Sequence, residues 1–493
     1  MPSGPKCALA TPARIPPRPP ASEREDPPDE GAAVERYCTS QTLREDSASE
    51  IESYRRMRPD HLAAFSALDA GLAAGTGLWR PKPFHEPVVP WRTTHRSLHH
   101  ALLQLRDDEY EELQHDDVWL RKWMSAHEPS FAPLDEATQR VSAAAADAML
   151  RIARPPVPAG RAHVGVPGKK WAQVEAFASA VPRRRVPAVE WCSGKGYLSK
   201  RLLAHGVVPS STCLEVDGHL CDVGRRLCSE LPVSFVQADV LAPSLTSLLP
   251  AGSAATHVAL HACGGLHRAM LRAAMDRKAE GVAVAPCCYH KHASADQLET
   301  LSAAAAGSCL VAEGISHAEM KLATAGECVT GGQRDLRIRR REHHWRCAFD
   351  VLFSRALPPR GPTRPATADA TRLRVPSVPV ALLSQGSFAD FCRWAAEAKG
   401  QSRAERSRLL PYLQKWDDRE AATCLALGLA RSRRISRLEL ARHAYRRPLE
   451  LWLVLDACLF IEEHGYDSTL VQFCERKVSP RNLLVLGARR ALS

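Results

Sequence analysis

No apolar run in the 493-residue chain approaches the roughly 20 residues that span a bilayer, so no membrane segment is expected. The opening MPSGPKCALATPARIPPRPP lacks the continuous apolar stretch of a secretory signal, which argues against export. The 16 cysteines lack the framework of a short disulfide-stapled chain. Without an export signal they read as reduced thiols, and the expected compartment is the cytoplasm. No paired C-x-x-C spacing occurs, so no metal site is expected. Internal repeats are missing too. What is present is ordinary for a soluble globular protein, 45% hydrophobic and 25% charged, with length for about three domains. The net charge of +11 points to a polyanionic partner, although arginine enrichment from a GC-rich genome gives the same number.

Residues 1–50 are rich in proline and then in mixed charge (SEREDPPDE), and read as a disordered leader. Residues 51–160 read as a helical N-terminal region. Within it HLAAFSALDAGLAA has helical spacing and ends near Gly75, a candidate C-cap. Next, LWRPKPFHEPVVPW is broken by prolines, and its Trp79 and Trp91 are expected to pack on a neighbouring domain. From 161 to 300 strands and helices alternate. A helix from about Lys169 to Ala180 precedes AVEW, STCLEV, VSFVQAD, THVALHA and GVAVAPC, the pattern of a parallel sheet covered on both faces. From 301 to 464 helices dominate, ending in RPLELWLVLDACLFIEEHG, with Pro448 near its start and Gly465 past its end. Residues 465–493 contain two strand-like runs, YDSTLVQFCE and RNLLVLGAR, a hairpin candidate.

The chemistry gathers after the first strand. In EWCSGKGYLSKRL, Gly194 and Gly196 let the backbone approach a ligand, and a helix from Tyr197 offers free N–H groups. A dinucleotide fingerprint would place Gly or Ala where Ser199 stands, and a Walker loop would need Gly-Lys-Ser/Thr. Both phosphate readings weaken. S-adenosylmethionine (SAM) carries a sulfonium and an amino-acid head, and wants carboxylates nearby. Glu190 lies at the end of the first strand, Glu215 at the end of the second with Asp217 close behind, and Asp239 after the third. Acids at three successive strand ends, together with the glycine turn, point to SAM as the cofactor.

EWCSGKGYLSKRL, LHACGGLH and APCCYH resemble the class I SAM-dependent methyltransferase family marked by a CCYH segment after the fifth strand. That family includes bacterial methyltransferase-domain proteins, eukaryotic methyltransferase-like proteins and, more distantly, tRNA ribose 2′-O-methyltransferases. PGKKWAQVEAF and SPRNLLVLGAR are similar to its lead-in helix and terminal strand. The resemblance covers about Gly165–Tyr289 and resumes from about Arg447. It implies an α/β fold: a Rossmann-like, seven-stranded class I methyltransferase sheet, with a helical N-terminal region and a helical insertion before the C-terminal β-hairpin. It also implies that Glu190, Cys192, Ser193, Gly194 and Gly196 line the methionine part of SAM, that Glu215 holds the ribose and Asp239 the adenine. Cys192 departs from the glycine usual in this turn. His261, Cys263 and Gly264 follow the fourth strand, and Pro286 to His290 the fifth, where such enzymes place substrate-facing groups.

Three readings of these last clusters compete. Cys263 with Cys287 or Cys288 resembles the nucleophile and helper of RNA cytosine-C5 methyltransferases. HAC and CCYHKH contain zinc-type ligands without zinc-type spacing. The plainest reading has His261, Tyr289 and His290 shape the substrate mouth or act as acid–base groups, while the cysteines pack as small hydrophobes. Two basic clusters, Arg334–Arg346 and Arg431–Arg447, suit phosphate contacts or a solvated helix face. His343, His344 and Trp345 could stack on bases, or Trp345 could be core. RNA is the expected acceptor and partner. A protein or small-molecule acceptor comes second, and a non-catalytic SAM-binding protein third.

Overall fold

The computed structural model describes residues 60–86, 88–152, 166–242, 245, 254–291, 298–324, 332–356, 377–398 and 403–490; the expected leader lies outside them. The chain divides into two compact units that interleave along the sequence. The described residues of the first fall within Met1–Asp69, Ser125–Gly314 and Leu451–Ser493, and those of the second within Ala70–Met124 and Ile315–Glu450.

The first unit is an α/β fold built on one seven-stranded sheet, in the order β3-β2-β1-β4-β5-β7-β6. The strands are β1 (Ala188–Trp191), β2 (Ser211–Glu215), β3 (Val233–Gln237), β4 (Thr256–Cys263), β5 (Gly281–Cys287), β6 (Tyr466–Gln472) and β7 (Leu483–Arg489). The first five are parallel, and β7 runs antiparallel between β5 and β6. The expected strands and terminal hairpin are all there, and this is the class I methyltransferase strand order. Buried strands read as apolar because helices cover both faces, and β5 is buried along its whole length. Helix α1 (Gly168–Ala180) turns Val174, Phe177 and Ala178 into a core shared with Val258, Ala283, Leu484 and Leu486. Helices α2 (Tyr197–Ala204), α3 (Gly218–Leu227) and α4 (Gly265–Asp276) each follow a strand of the parallel set. The carboxyl ends of β1 to β5 therefore lie along one edge, where an open α/β sheet binds ligands.

The second unit is helical. Its longest helices, α5 (Gly332–Ala356) and α6 (Asp418–His443), flank a core that includes Trp345, Phe349, Phe353, Phe391 and Cys424. Two expectations change here. Trp79 and Trp91 are buried, and Trp79 lies in this unit's own interior, where the Tyr445 ring sits 6.5 Å away and Arg442 Nε donates to its carbonyl at 2.8 Å. Gly75 follows the helix His61–Ala74, but its φ of −88° is not the left-handed conformation of a glycine C-cap. Its missing side chain instead makes room for Tyr445, whose ring would lie 2.4 Å from a Cβ.

Candidate methyl-donor site at the carboxyl edge of the sheet

The glycine turn after β1 is left-handed at Cys192 (φ 55°), Gly194 (φ 57°) and Gly196 (φ 72°). Cys192 thus adopts the backbone that glycine takes freely, so its departure from the family pattern leaves the turn intact, at the cost of local strain. The two glycines serve different ends. A Cβ on Gly196 would meet the Phe235 ring at 2.7 Å, so that position is fixed by packing against β3. A Cβ on Gly194 would meet nothing within 4 Å. Open space lies over Gly194.

Each acid at the strand ends holds backbone. Glu215 Oε2 accepts from Gly194 N at 2.8 Å, and Oε1 accepts from Val216 N and Asp217 N at 3.0 and 3.1 Å. This buried carboxylate ties the end of β2 to the turn after β1. Glu190 is also buried and accepts from Ser199 N at 2.9 Å, holding the first turn of α2 from beneath. Burial pushes the Glu190 carboxyl up to about 7, against the pull of its hydrogen bonds from Ser199. Asp217 caps α3, its Oδ1 accepting from His219 N and Leu220 N at 2.8 and 3.3 Å. Asp239 is exposed, and its Oδ1 accepts from Leu241 N at 2.9 Å. Ser193 is buried, and its N–H reaches Leu214 O at 3.0 Å.

Sequence reasoning passed over two residues at this edge. Val216 and Leu241 are large apolar side chains left 61% and 53% exposed, just past the ends of neighbouring strands. Exposed apolar groups beside acids suit the faces of a flat heterocycle whose polar rim the acids would meet. The available signal was position: Val216 directly follows Glu215, which ends β2, and Leu241 lies two residues beyond Asp239, just past the end of β3.

At β4 and β5 the backbone is strained. A register shift between Leu260 and Ala262 leaves His261 out of the ladder with φ 64°. Its Nε2 lies 2.6 Å from Gln173 Oε1, and Gln173 Nε2 donates to Val478 O at 3.1 Å. Burial, helped by Arg481 and Lys170, pushes the imidazole down to about 4, which leaves it neutral at pH 7. Tyr289 is buried and His290 half-buried. Cys263 and Cys287 face each other across the strands with Sγ atoms 3.3 Å apart. The Cys287 thiol draws Cys263 below the ordinary thiol range against the effect of burial, whereas burial pushes Cys192 up to about 12.

The basic clusters belong to the helical unit. Arg431 pairs with Asp350 at 2.5 Å, and Arg433 and Arg437 pair with Asp107 at 3.3 and 2.8 Å. His343 Nδ1 meets Ser432 Oγ at 2.8 Å, His344 Nε2 meets Leu425 O at 2.9 Å, and Trp345 packs on Phe388 and Phe391. These three rings are held inside the unit rather than offered for stacking. Arg334, Arg337, Arg339, Arg340 and Arg341 lie exposed along α5. A cavity of about 910 Å³ opens between α5 and α6, with Arg339, Arg433 and Arg446 among its lining residues.

Residues 169–295 match a family described as a methyltransferase domain. The matched stretch runs from the start of α1 past the end of β5 and includes the ends of β1 to β5. Among solved structures, the 23S rRNA methyltransferase ErmE is 19% identical, over 23% of this chain and 45% of its own, with a TM-score of 0.20. A chain from the complex of the Haloferax volcanii Trm112 methyltransferase activator with a methyltransferase is 17% identical, over 26% and 57%, with a TM-score of 0.21. The plantazolicin methyltransferase BamL, bound to a substrate analogue and SAH, is 10% identical, over 36% and 58%, with a TM-score of 0.19. The chain thus spans about half the length of these structures, and likeness at this level bears no weight alone. No curated protein matches the chain. Among the described residues, no helix is long and apolar enough to cross a membrane.

Proposed function

We propose that the methyltransferase domain uses S-adenosylmethionine and that its methyl acceptor is RNA. The cofactor reading rests chiefly on the left-handed turn at Gly194, open above and tied to the end of β2 by Glu215. SAM supplies an electrophilic methyl group on a sulfonium. Everything else falls to the chain. The turn and the N-terminus of α2 would take the amino-acid part, with Cys192 and Ser193 alongside. Glu215 would meet the ribose while keeping the turn in shape, Asp239 would meet the adenine amino group, and Val216 and Leu241 would lie against the adenine faces. Glu190 would act from beneath by holding α2. His261, neutral and bonded to Gln173, suits a group that shapes the acceptor's approach rather than one that shuttles protons.

Isothermal calorimetry tests the cofactor: SAM and its demethylated product should bind with micromolar-scale affinity, about −8 kcal/mol. No heat and no thermal shift with either ligand would refute it. The RNA acceptor rests on the net charge of +11 and the exposed arginines of α5. Tritiated SAM and the purified chain should label a cell extract in a fraction that ribonuclease removes. The ion pairs of Arg431, Arg433 and Arg437 favour a second reading, a protein or small-molecule acceptor, because they lower the positive field of α6. Ribonuclease-resistant label would select it.

A further inference from the structure

The thiols after β4 and β5 have a geometry that their spacing in the sequence hides. Cys263, Cys287 and Cys288 present three Sγ atoms, all within 4.8 Å of one another. We propose that these three cysteines bind a zinc ion, with its fourth coordination position open at the carboxyl edge of the sheet.

Tetrahedral zinc with bonds of about 2.3 Å to sulfur places its sulfurs about 3.8 Å apart. The Cys263–Cys287 separation of 3.3 Å and the 4.8 Å bound on the set bracket that value. The backbone is bent to bring the third thiol in. Successive residues of a strand point to opposite faces, so Cys288 in regular extension would face away from Cys287. Its φ of 49° breaks that alternation and returns its Sγ to the side where Cys263 and Cys287 already meet. Left-handed backbone in a residue with a side chain is costly and persists where the surroundings enforce it.

The surroundings do enforce it. Gly264 N donates to Cys287 O at 2.9 Å, Gly265 N to Lys291 O at 2.9 Å, and Lys291 N to Cys288 O at 2.8 Å. The turns after the two strands are thereby clamped together, and a Cβ on Gly264 would stand 1.5 Å from Lys291 O. The ligands would be held before the ion arrives. Three thiolates and Zn²⁺ sum to one negative charge. Thiolates select zinc over magnesium or calcium. Cys263 and Cys288 are half-buried, so the ion can be reached by water or by a ligand entering along the strand ends. Three protein ligands and one open position is the arrangement of reactive rather than purely structural zinc. The inference stands apart from the methyl-donor reading, because the ion would bind whether or not SAM does.

The test uses the full chain, purified reduced and stripped of metal. Titration with Co²⁺ should give thiolate-to-cobalt charge transfer and the intense visible bands of tetrahedral cobalt, saturating at about one ion per chain and displaced by zinc. Cys263→Ser, Cys287→Ser and Cys288→Ser should each weaken binding at least tenfold, while Cys309→Ser, at an exposed cysteine, should leave it unchanged. X-ray absorption on the zinc-loaded wild-type chain needs no variant and should count three sulfur neighbours and one lighter atom. The proposal is overturned by a wild-type chain without the tetrahedral spectrum, by cobalt binding that persists in all three variants, or by fewer than three sulfur neighbours.

Discussion

The two halves of the sheet's carboxyl edge are organised by opposite means. At β1 to β3, carboxylates accept backbone N–H groups and set the loops: Glu190 holds α2, Glu215 holds the glycine turn, Asp217 caps α3 and Asp239 holds Leu241 N. At β4 and β5 thiols and strained backbone take that place, with His261 and Cys288 both left-handed. The first half builds a polar cradle from hydrogen bonds with good geometry. The second concentrates soft donor atoms and holds two strained residues, where the first holds one, Cys192. Strain persists only where the surrounding structure over-determines it, which is consistent with the separate chemistry proposed for each half.

A pair of glycines gives the largest contrast. At Gly264 a Cβ would collide with the Lys291 carbonyl, and φ is 54°. Gly264→Ala should therefore lose more than about 3 kcal/mol of stability, seen as a lower denaturant midpoint. At Gly194 the space is open and the left-handed φ alone opposes a side chain. Gly194→Ala should lose only about 1–2 kcal/mol. Gly194→Val should keep a cooperative melt while abolishing SAM binding, because its bulk fills the space above the turn. Equal destabilisation by the two alanine substitutions would erase the contrast between the halves.

Next in size is the buried carboxyl of Glu190, pushed up to about 7 from an ordinary 4.5. For an acid whose folded value is raised, the stabilising contribution is full below the unfolded value and is lost as pH rises through the folded value. Between pH 4.5 and 7 the fold should therefore lose about 3 kcal/mol from this group. Glu190→Gln keeps an acceptor for Ser199 N and removes the charge. Denaturation at pH 5 and pH 8 should find the variant gaining on the wild-type chain at the higher pH; a pH-independent difference would mean that Glu190 titrates normally.

How much of this was legible in the sequence follows from the kind of interaction. The strands, the turn helix at Tyr197 and the terminal hairpin were readable because apolar runs, glycines and prolines act locally. Glu215 was readable as an acid at the end of a strand and Asp239 as one just past it, yet nothing local says that Glu215 reaches Gly194, which is 21 residues away. The thiol cluster was illegible for the same reason. Spacing along the chain reports loop chelates, whereas Cys263 and Cys287 meet through strand pairing and Cys288 through a single left-handed residue. Arginine runs were visible as charge, but the acids that pair with them lie far off in sequence, as Asp107 does from Arg437.

Asp217 offers a smaller test of the first half. Its Oδ1 is engaged as the cap of α3, so Asp217→Ala should cost about 1 kcal/mol in thermal or chemical denaturation. Its effect on SAM affinity should be less than that of Asp239→Asn. An equal or larger loss of affinity would give Asp217 a direct part in binding and make the acids of β2 a pair.

The smallest expected effect concerns the arginines of the helical unit, and it separates the two basic helices. If Arg431, Arg433, Arg434 and Arg437 gripped an RNA backbone, replacing all four with glutamine would flatten the dependence of affinity on salt, since each neutralised phosphate releases counterions. Three of them already face acids, at Asp350 and Asp107, and a paired guanidinium contributes less to that release. Arg334, Arg337, Arg339 and Arg340 are exposed along α5, although Arg337 also has an interaction of its own and Arg340 pairs with Glu111. The glutamine quadruple on α5 should therefore lower the logarithmic salt slope of RNA binding by roughly two, and that on α6 by about one or less. SAM affinity should not move in either, because all the proposed SAM contacts lie at the strand ends of the sheet. A salt slope unchanged by both quadruples would remove RNA as the partner of this surface and turn the search to a protein or small-molecule acceptor.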